Sequence, residues 1–202
     1  TPRRVCAQNS HYDVIDFGTI PDDYLPRSNY VPACEPAAYI KRVPRVEWID
    51  AGYAERRPVT DYCRIASRRG AHPGDERSVR PVLLPPGFAH IDGVFSVALR
   101  GSTAVVPAAG YWASLPFDFF VRVSGKKDFR NATASLMPLI PGSPSLAVRT
   151  LGLNCLTTHY DAVWHKNWQS SFSSDTWSRS DPRLPQSYFS QLTDKWARIC
   201  GF

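Results

Sequence analysis

The chain has 202 residues, of which 43% are hydrophobic and 25 are aromatic (Trp 6, Tyr 9, Phe 10), a load that excludes a disordered protein because such side chains must leave water to offset the entropy of ordering the backbone. No run approaches the roughly 20 apolar residues that a bilayer-spanning helix needs, so no membrane span is expected. The formal charge of +6, from nineteen arginines and five lysines against eighteen acids, excludes both an acidic protein and a polybasic one. It leaves a mildly basic surface weighted toward the planar guanidinium fork, which suits contact with other macromolecules.

The N-terminal Thr1-Pro2-Arg3-Arg4 has no apolar run behind it, so no signal peptide is expected in this sequence. Residues 1–45 read as an extended arm. His11 to Phe17 can form one short strand, after which Gly18, Pro21, Pro26, Pro32 and Pro36 forbid regular structure for long. Tyr12, Phe17, Tyr24 and Tyr30 are spaced along this arm like anchors, and aromatics bury large areas at small entropic cost. Such an arm is expected to lie across a neighbouring subunit or to wrap its own domain.

Residues 46–202 read as one β-rich domain. Val46-Glu47-Trp48-Ile49 begins a short element, and Cys63 to Gly70 is a basic patch carrying Arg64, Arg68 and Arg69 that leads into a loop of mixed charge. Val94 to Arg100 reads as a strand. Phe117, Phe119, Val121 and Val123 alternate with Asp118, Arg122 and Ser124 as in a half-buried antiparallel strand, so Phe119→Ala is expected to cost about 3–5 kcal/mol. Residues 146–156 form a further strand candidate. The recurrence of Tyr188, Leu192, Trp196 and Ile199 before Gly201 predicts a C-terminal helix with a glycine cap. The fold expected is therefore mainly β, an antiparallel β-sandwich or jelly-roll-like barrel with an extended N-terminal arm and a short C-terminal helix.

Three histidines recur in one pattern, His11-Tyr12-Asp13, His90-Ile91-Asp92 and His159-Tyr160-Asp161. In a strand, positions i and i+2 share a side, so each pair can present an imidazole and a carboxylate to one ligand. His90 and Asp92 with a distant His159 or His165 resemble the two-histidine, one-carboxylate triad of the iron- and 2-oxoglutarate-dependent oxygenases. That resemblance covers only those few residues and implies a divalent metal on a jelly-roll core. His159, Asp161 and His165 with Arg64, Arg68 and Arg69 offer a second metal-assisted alternative, a nuclease or phosphoesterase. Phosphate-cradling glycine loops and a serine nucleophile elbow are absent from the sequence.

Trp164 and Trp168, four apart and followed by a serine-rich stretch and Trp177, suit either core packing or a contact surface. The five widely spaced cysteines are expected to be mainly reduced thiols. With anchors at both ends and no cofactor motif, the function expected is a structural or interaction subunit of a protein assembly, such as a virion or particle component. Its partners would be copies of itself or other proteins, with nucleic acid supported only by the small net charge. The alternative is a metal-dependent enzyme using a His-x-Asp pair. The location expected is soluble, within an intracellular assembly or a particle, with secretion as the other possibility.

Overall fold

A computed structural model describes residues 15–25, 31–71, 75–101 and 103–198. The chain forms two compact units, Ile40–Asn154 and the combination of Thr1–Tyr39 with Cys155–Phe202. Each has its own core.

The Ile40–Asn154 unit is built on a three-stranded antiparallel sheet. Its strands are β1 (Arg64–Arg68), β2 (Pro81–Leu84) and β3 (Val94–Ala98), in the order β2-β1-β3. The register sets Ile65 opposite both Leu83 and Val97. β1 is central, and its first four residues, Arg64, Ile65, Ala66 and Ser67, are all buried. The hydroxyl and guanidinium among them are tolerated because each finds partners: Arg64 Nη1 donates to Ser96 Oγ at 3.0 Å and Nη2 to the Phe88 carbonyl.

Helices make up the rest. The first helix, α1 (Pro36–Arg42), ends on Lys41 and Arg42, cations placed where the helix dipole is negative. After β3 come α2 (Val105–Trp112), α3 (Leu115–Val123), the short α4 (Asn131–Ala134) and α5 (Pro144–Asn154). α2 packs on β1 and β2 and is crossed by α5. The crossing is tight at Gly110, where a Cβ would stand 2.4 Å from Thr150 Oγ1 and 2.9 Å from Leu146 Cδ1, so only glycine fits without displacing α5. Between these layers, Phe129 is fully buried and meets Phe95 and Trp112 edge-on, at centroid distances of 6.0 and 5.3 Å. The last residue of α5 reaches back to the sheet: Leu83 N–H, on edge strand β2, donates to Asn154 Oδ1 at 2.8 Å, and Asn154 Nδ2 donates to Thr150 O at 2.7 Å.

The second unit contains α6 (Asp161–Asn167) and turns of 3-10 helix at Thr158–Tyr160, Ser170–Ser174 and Phe189–Gln191. Its core is aromatic. Trp164, Trp168 and Phe172 form one ladder, and Trp177, Tyr188 and Phe189 a second, with Trp177 4.7 Å from Phe189. Three of its indoles find acceptors, Trp164 on Thr193 O, Trp177 on Pro185 O and Trp196 on Cys155 O.

This architecture corrects the expected sandwich or jelly roll. The described residues form a small α+β fold with a short open sheet and six α-helices. The alternation over 117–123 is not a strand but α3: Phe117 and Val121, four apart, are buried, while Phe119 and Val123 face out. Pro116 in the first turn and the Asp118–Arg122 pair at i, i+4 favour the helix, and period two and period four share half their positions. The strand candidate at 146–156 is α5. The predicted C-terminal helix is a single 3-10 turn followed by irregular chain through Arg198; Tyr188 and Leu192 are buried, as a helix face would bury them, but from non-helical backbone. Ile199, Cys200 and Gly201 lie outside the described residues. The basic patch at Cys63 to Gly70 supplies the central strand rather than the approach to a loop. The strand expected from Val94 is present as β3.

Candidate functional site

The end of β1 gathers the strongest charge arrangement in the Ile40–Asn154 unit. Three carboxylates there are each shared by two guanidiniums. Asp75 Oδ2 lies 3.0 Å from Arg68 and 3.4 Å from Arg80. Asp118 lies 3.6 Å from Arg77 and 3.5 Å from Arg122. Asp128 lies 3.0 Å from Arg69 and 2.6 Å from Arg130. Arg69 also pairs with Asp92.

Backbone contacts join the three clusters into one surface. Arg122 Nη2 donates to the carbonyls of Asp75 and Glu76 at 2.9 and 2.8 Å, tying the second cluster to the first. Gly70 bridges Asp128 in antiparallel fashion, Phe129 N–H donates to Arg69 O at 2.6 Å, and Ala71 N–H donates to Lys127 O at 3.0 Å, which brings the third cluster and the Lys126-Lys127 turn beside the strand end. Arg68 ends β1 and Arg69 follows in the bend after it, the two pairing with different carboxylates, Asp75 and Asp128.

Asp118 is the structural centre. It is buried, and its Oδ1 accepts the N–H groups of Ser78 and Val79 at 2.7 and 2.9 Å, so α3 is fastened to the segment entering β2. The other carboxylates sit at the surface. Arg130, hydrogen-bonded to Asp128, together with Arg69 holds the Asp128 carboxyl below the usual carboxylate range. The hydrogen bond to Asp92, reinforced by Asp128, raises Arg69 above the ordinary guanidinium value. Arg68, Arg80 and Arg130 keep half or more of their side-chain surface in water. A guanidinium sharing its carboxylate with a second one retains donors and net positive charge toward solvent.

The residues singled out in the sequence fall as follows. His90 and Asp92 are exposed in the turn before β3, where His90 Nε2 lies 2.7 Å from Ser96 Oγ and Nδ1 3.0 Å from Ile91 O, while Asp92 faces Arg69. His159 Nε2 lies 3.2 Å from Asp23 O in the other unit, and His165 is exposed in the last turn of α6. Among the described residues no three His, Cys, Asp or Glu side chains are grouped to hold a metal ion, which overturns the metal-dependent enzyme, oxygenase or phosphoesterase alike. The assembly or virion subunit loses its ground as well, since it presupposed a β-sandwich or jelly-roll body.

Phe17 is exposed in a turn, Tyr24 is half-buried, Trp164 is buried and Trp168 half-buried in the aromatic ladder. Tyr12 and Tyr30 lie outside the described residues. Arg68 and Arg69 of the sequence's basic patch belong to the charged surface, whereas Arg64 turns inward. Asp118 and its partners Arg77 and Arg122 were missed; the i, i+4 spacing of Asp118 and Arg122 was the available signal.

The chain gives no significant match to any protein-family model, curated protein or solved structure. Among the described residues no helix is long and apolar enough to cross a membrane.

Proposed function

We propose that the Ile40–Asn154 unit binds nucleic acid through the phosphate backbone, using the arginine-lined end of its sheet. The observation that carries this reading is the sharing of each of Asp75, Asp118 and Asp128 by two arginines. Exposed ion pairs add only about 0–1 kcal/mol each, so stability does not call for a second guanidinium on the surface carboxylates Asp75 and Asp128. Positioning does, because a carboxylate between two forks holds both in fixed orientation while neutralising one. The charge is also segregated along the chain. Residues 40–154 carry sixteen arginines and lysines against nine acids, a formal +7, whereas the remaining residues carry eight against nine. A cationic surface of fixed guanidiniums around a strand end suits a ribose-phosphate backbone, whose oxygens accept paired N–H donors and whose counterions are released on contact.

Fluorescence anisotropy with a labelled duplex and a labelled single strand, over a series of salt concentrations, tests the proposal. The full chain is expected to bind with an affinity that falls steeply with salt. Replacing Arg68, Arg80 and Arg130 together by Ala should weaken binding about tenfold or more and flatten the log–log salt slope by about 2–3, near one unit per phosphate contact. Lys166→Ala and Arg179→Ala, outside the cationic unit, should leave both unchanged. Binding that is absent at low salt, or indifferent to the triple substitution, would overturn the reading.

A further inference from the structure

α3 carries apolar residues on its outer face as well as on its buried one. Its acidic residue, Asp118, is buried, while Leu115, Phe119 and Val123 are 71%, 65% and 62% exposed. Positions 115, 119 and 123 are four apart and form one stripe, about 12 Å long at 1.5 Å per residue, with Phe120 beside it at 39% exposure. The stripe lies across the helix from the buried Phe117 and Val121, and the helix is pinned in that orientation. Asp118 holds the N–H groups of Ser78 and Val79 on the inner side, and Arg122 holds the carbonyls of Asp75 and Glu76. The apolar stripe is therefore a fixed feature of the folded unit, and contiguous exposed apolar surface of this kind marks an interaction site.

The charges around the stripe select its occupant. Arg77 donates to the carbonyls of Ala113 and Ser114 at the start of α3, and Arg122, Lys126 and Lys127 lie at its end. Against these four cations stand the exposed Glu76 and the inward-turned Asp118, which pairs with both Arg77 and Arg122, so the rim stays net positive. A second copy of the chain would bring the same cations onto the same rim, and like charges so juxtaposed are costly. Bases stacking on Phe119 and Phe120 would use two rings and leave Leu115 and Val123 without a role, since stacking needs π faces.

An amphipathic helix with apolar residues at i, i+4 and i+7 and acidic residues on its flanks satisfies both the stripe and its rim. We propose that the outward face of α3 docks such an acidic amphipathic helix, supplied by another protein segment. The stripe supplies the buried contact. Arg77, Arg122, Lys126 and Lys127 supply charge pairing that fixes orientation and partner choice.

The test is selection of a display library of helical 18-residue peptides with randomised flanking positions against the full chain, with the Phe119→Ser protein as counter-selection. Phe119 is exposed, so this neutral substitution is expected to leave the circular dichroism spectrum and melting temperature unchanged. Leu115→Ser serves as a second variant on the same stripe. Enriched peptides should carry the apolar i, i+4, i+7 pattern with acidic flanks and should lose about tenfold or more in affinity on either variant, as central apolar anchors do. Exchanging their acids for lysine should abolish binding. Recovery of no peptide, of peptides without acidic bias, or of peptides that bind the variants equally well overturns the proposal. So does a wild-type dimer that Phe119→Ser converts to a monomer in light scattering, which assigns the face to a second copy. A fall in oligonucleotide affinity on Phe119→Ser, with no peptide selected, overturns it in favour of nucleic acid and leaves the charge-based reading of the strand end standing.

Discussion

Asp118 accepts two backbone N–H groups that the sheet does not pair, and it does so from a buried position where water is no substitute. Removing the carboxylate leaves those donors unsatisfied, and a buried orphan costs about 1–3 kcal/mol. Asp118→Ala is therefore expected to lower the unfolding free energy by about 2–4 kcal/mol, and Asp118→Asn, which keeps an acceptor, by less. Chemical denaturation measures both, and a loss below about 1 kcal/mol for the alanine variant, under the cost of one orphan, would show that the donors find other partners.

A half-buried polar group titrates. Burial, and then its hydrogen bond to Asp50 Oδ2, push the Tyr62 hydroxyl up to about 12 from its ordinary value of 10, although the nearby Arg57 cation pulls the other way. The folded state thus prefers the protonated phenol more strongly than the unfolded state does. This contribution to stability is complete below pH 10 and is lost as pH rises from 10 through about 12. Comparing denaturation midpoints of wild type and Tyr62→Phe between pH 8 and 12 isolates it. The wild-type advantage should be constant up to pH 10 and shrink above it, and a constant difference across the range would remove Tyr62 from the account.

At the scale of elements, α3 shows why part of the fold escaped the sequence. The run from Phe117 to Val123 alternates apolar and polar residues well enough for a strand, yet it also places Phe117 and Val121 four apart. Period two and period 3.6 agree at that spacing and part company at Phe119. The structure decides by exposure, and substitution should follow it. Phe117→Ala is expected to cost about 3–5 kcal/mol through lost transfer energy and a cavity, and Phe119→Ala only about 0.5 kcal/mol or less, as at exposed sites. Equal losses in a denaturant titration would contradict the helix.

β3 was legible because Val94 to Ala98 is short, apolar and closed by Gly101, so only one element type fits. β1 was not, because Arg64 and Ser67 are buried by virtue of partners thirteen or more residues away, information that no local pattern carries. The charged site was half legible for the same reason: Arg68 and Arg69 stand out as a run, but the carboxylates that orient them come from separate segments. Trp164, Trp168 and Trp177 stand out equally in the sequence, and the structure sets them in two ladders that serve the aromatic core of the second unit.

For the molecule as a whole, the sheet ends at β2 on one side and β3 on the other, since three strands cannot close on themselves. An open edge offers its N–H and C=O groups to any extended chain that drifts past. On β2 one such group, Leu83 N–H, is taken by the side-chain amide of Asn154, which is itself anchored on Thr150 O. That amide satisfies the N–H of the buried Leu83 and also occupies a position that another molecule's strand would otherwise fill. The consequence concerns shelf life as well as folding. Asn154→Ala should lower the unfolding free energy by about 1–3 kcal/mol, the cost of one buried orphan, and, held where both proteins stay folded, should lose solubility faster than wild type on concentration, with growth of an intermolecular β band in the infrared amide I region. An Asn154→Ala protein that precipitates no faster than wild type would mean that the β2 edge is guarded by something other than this one side chain.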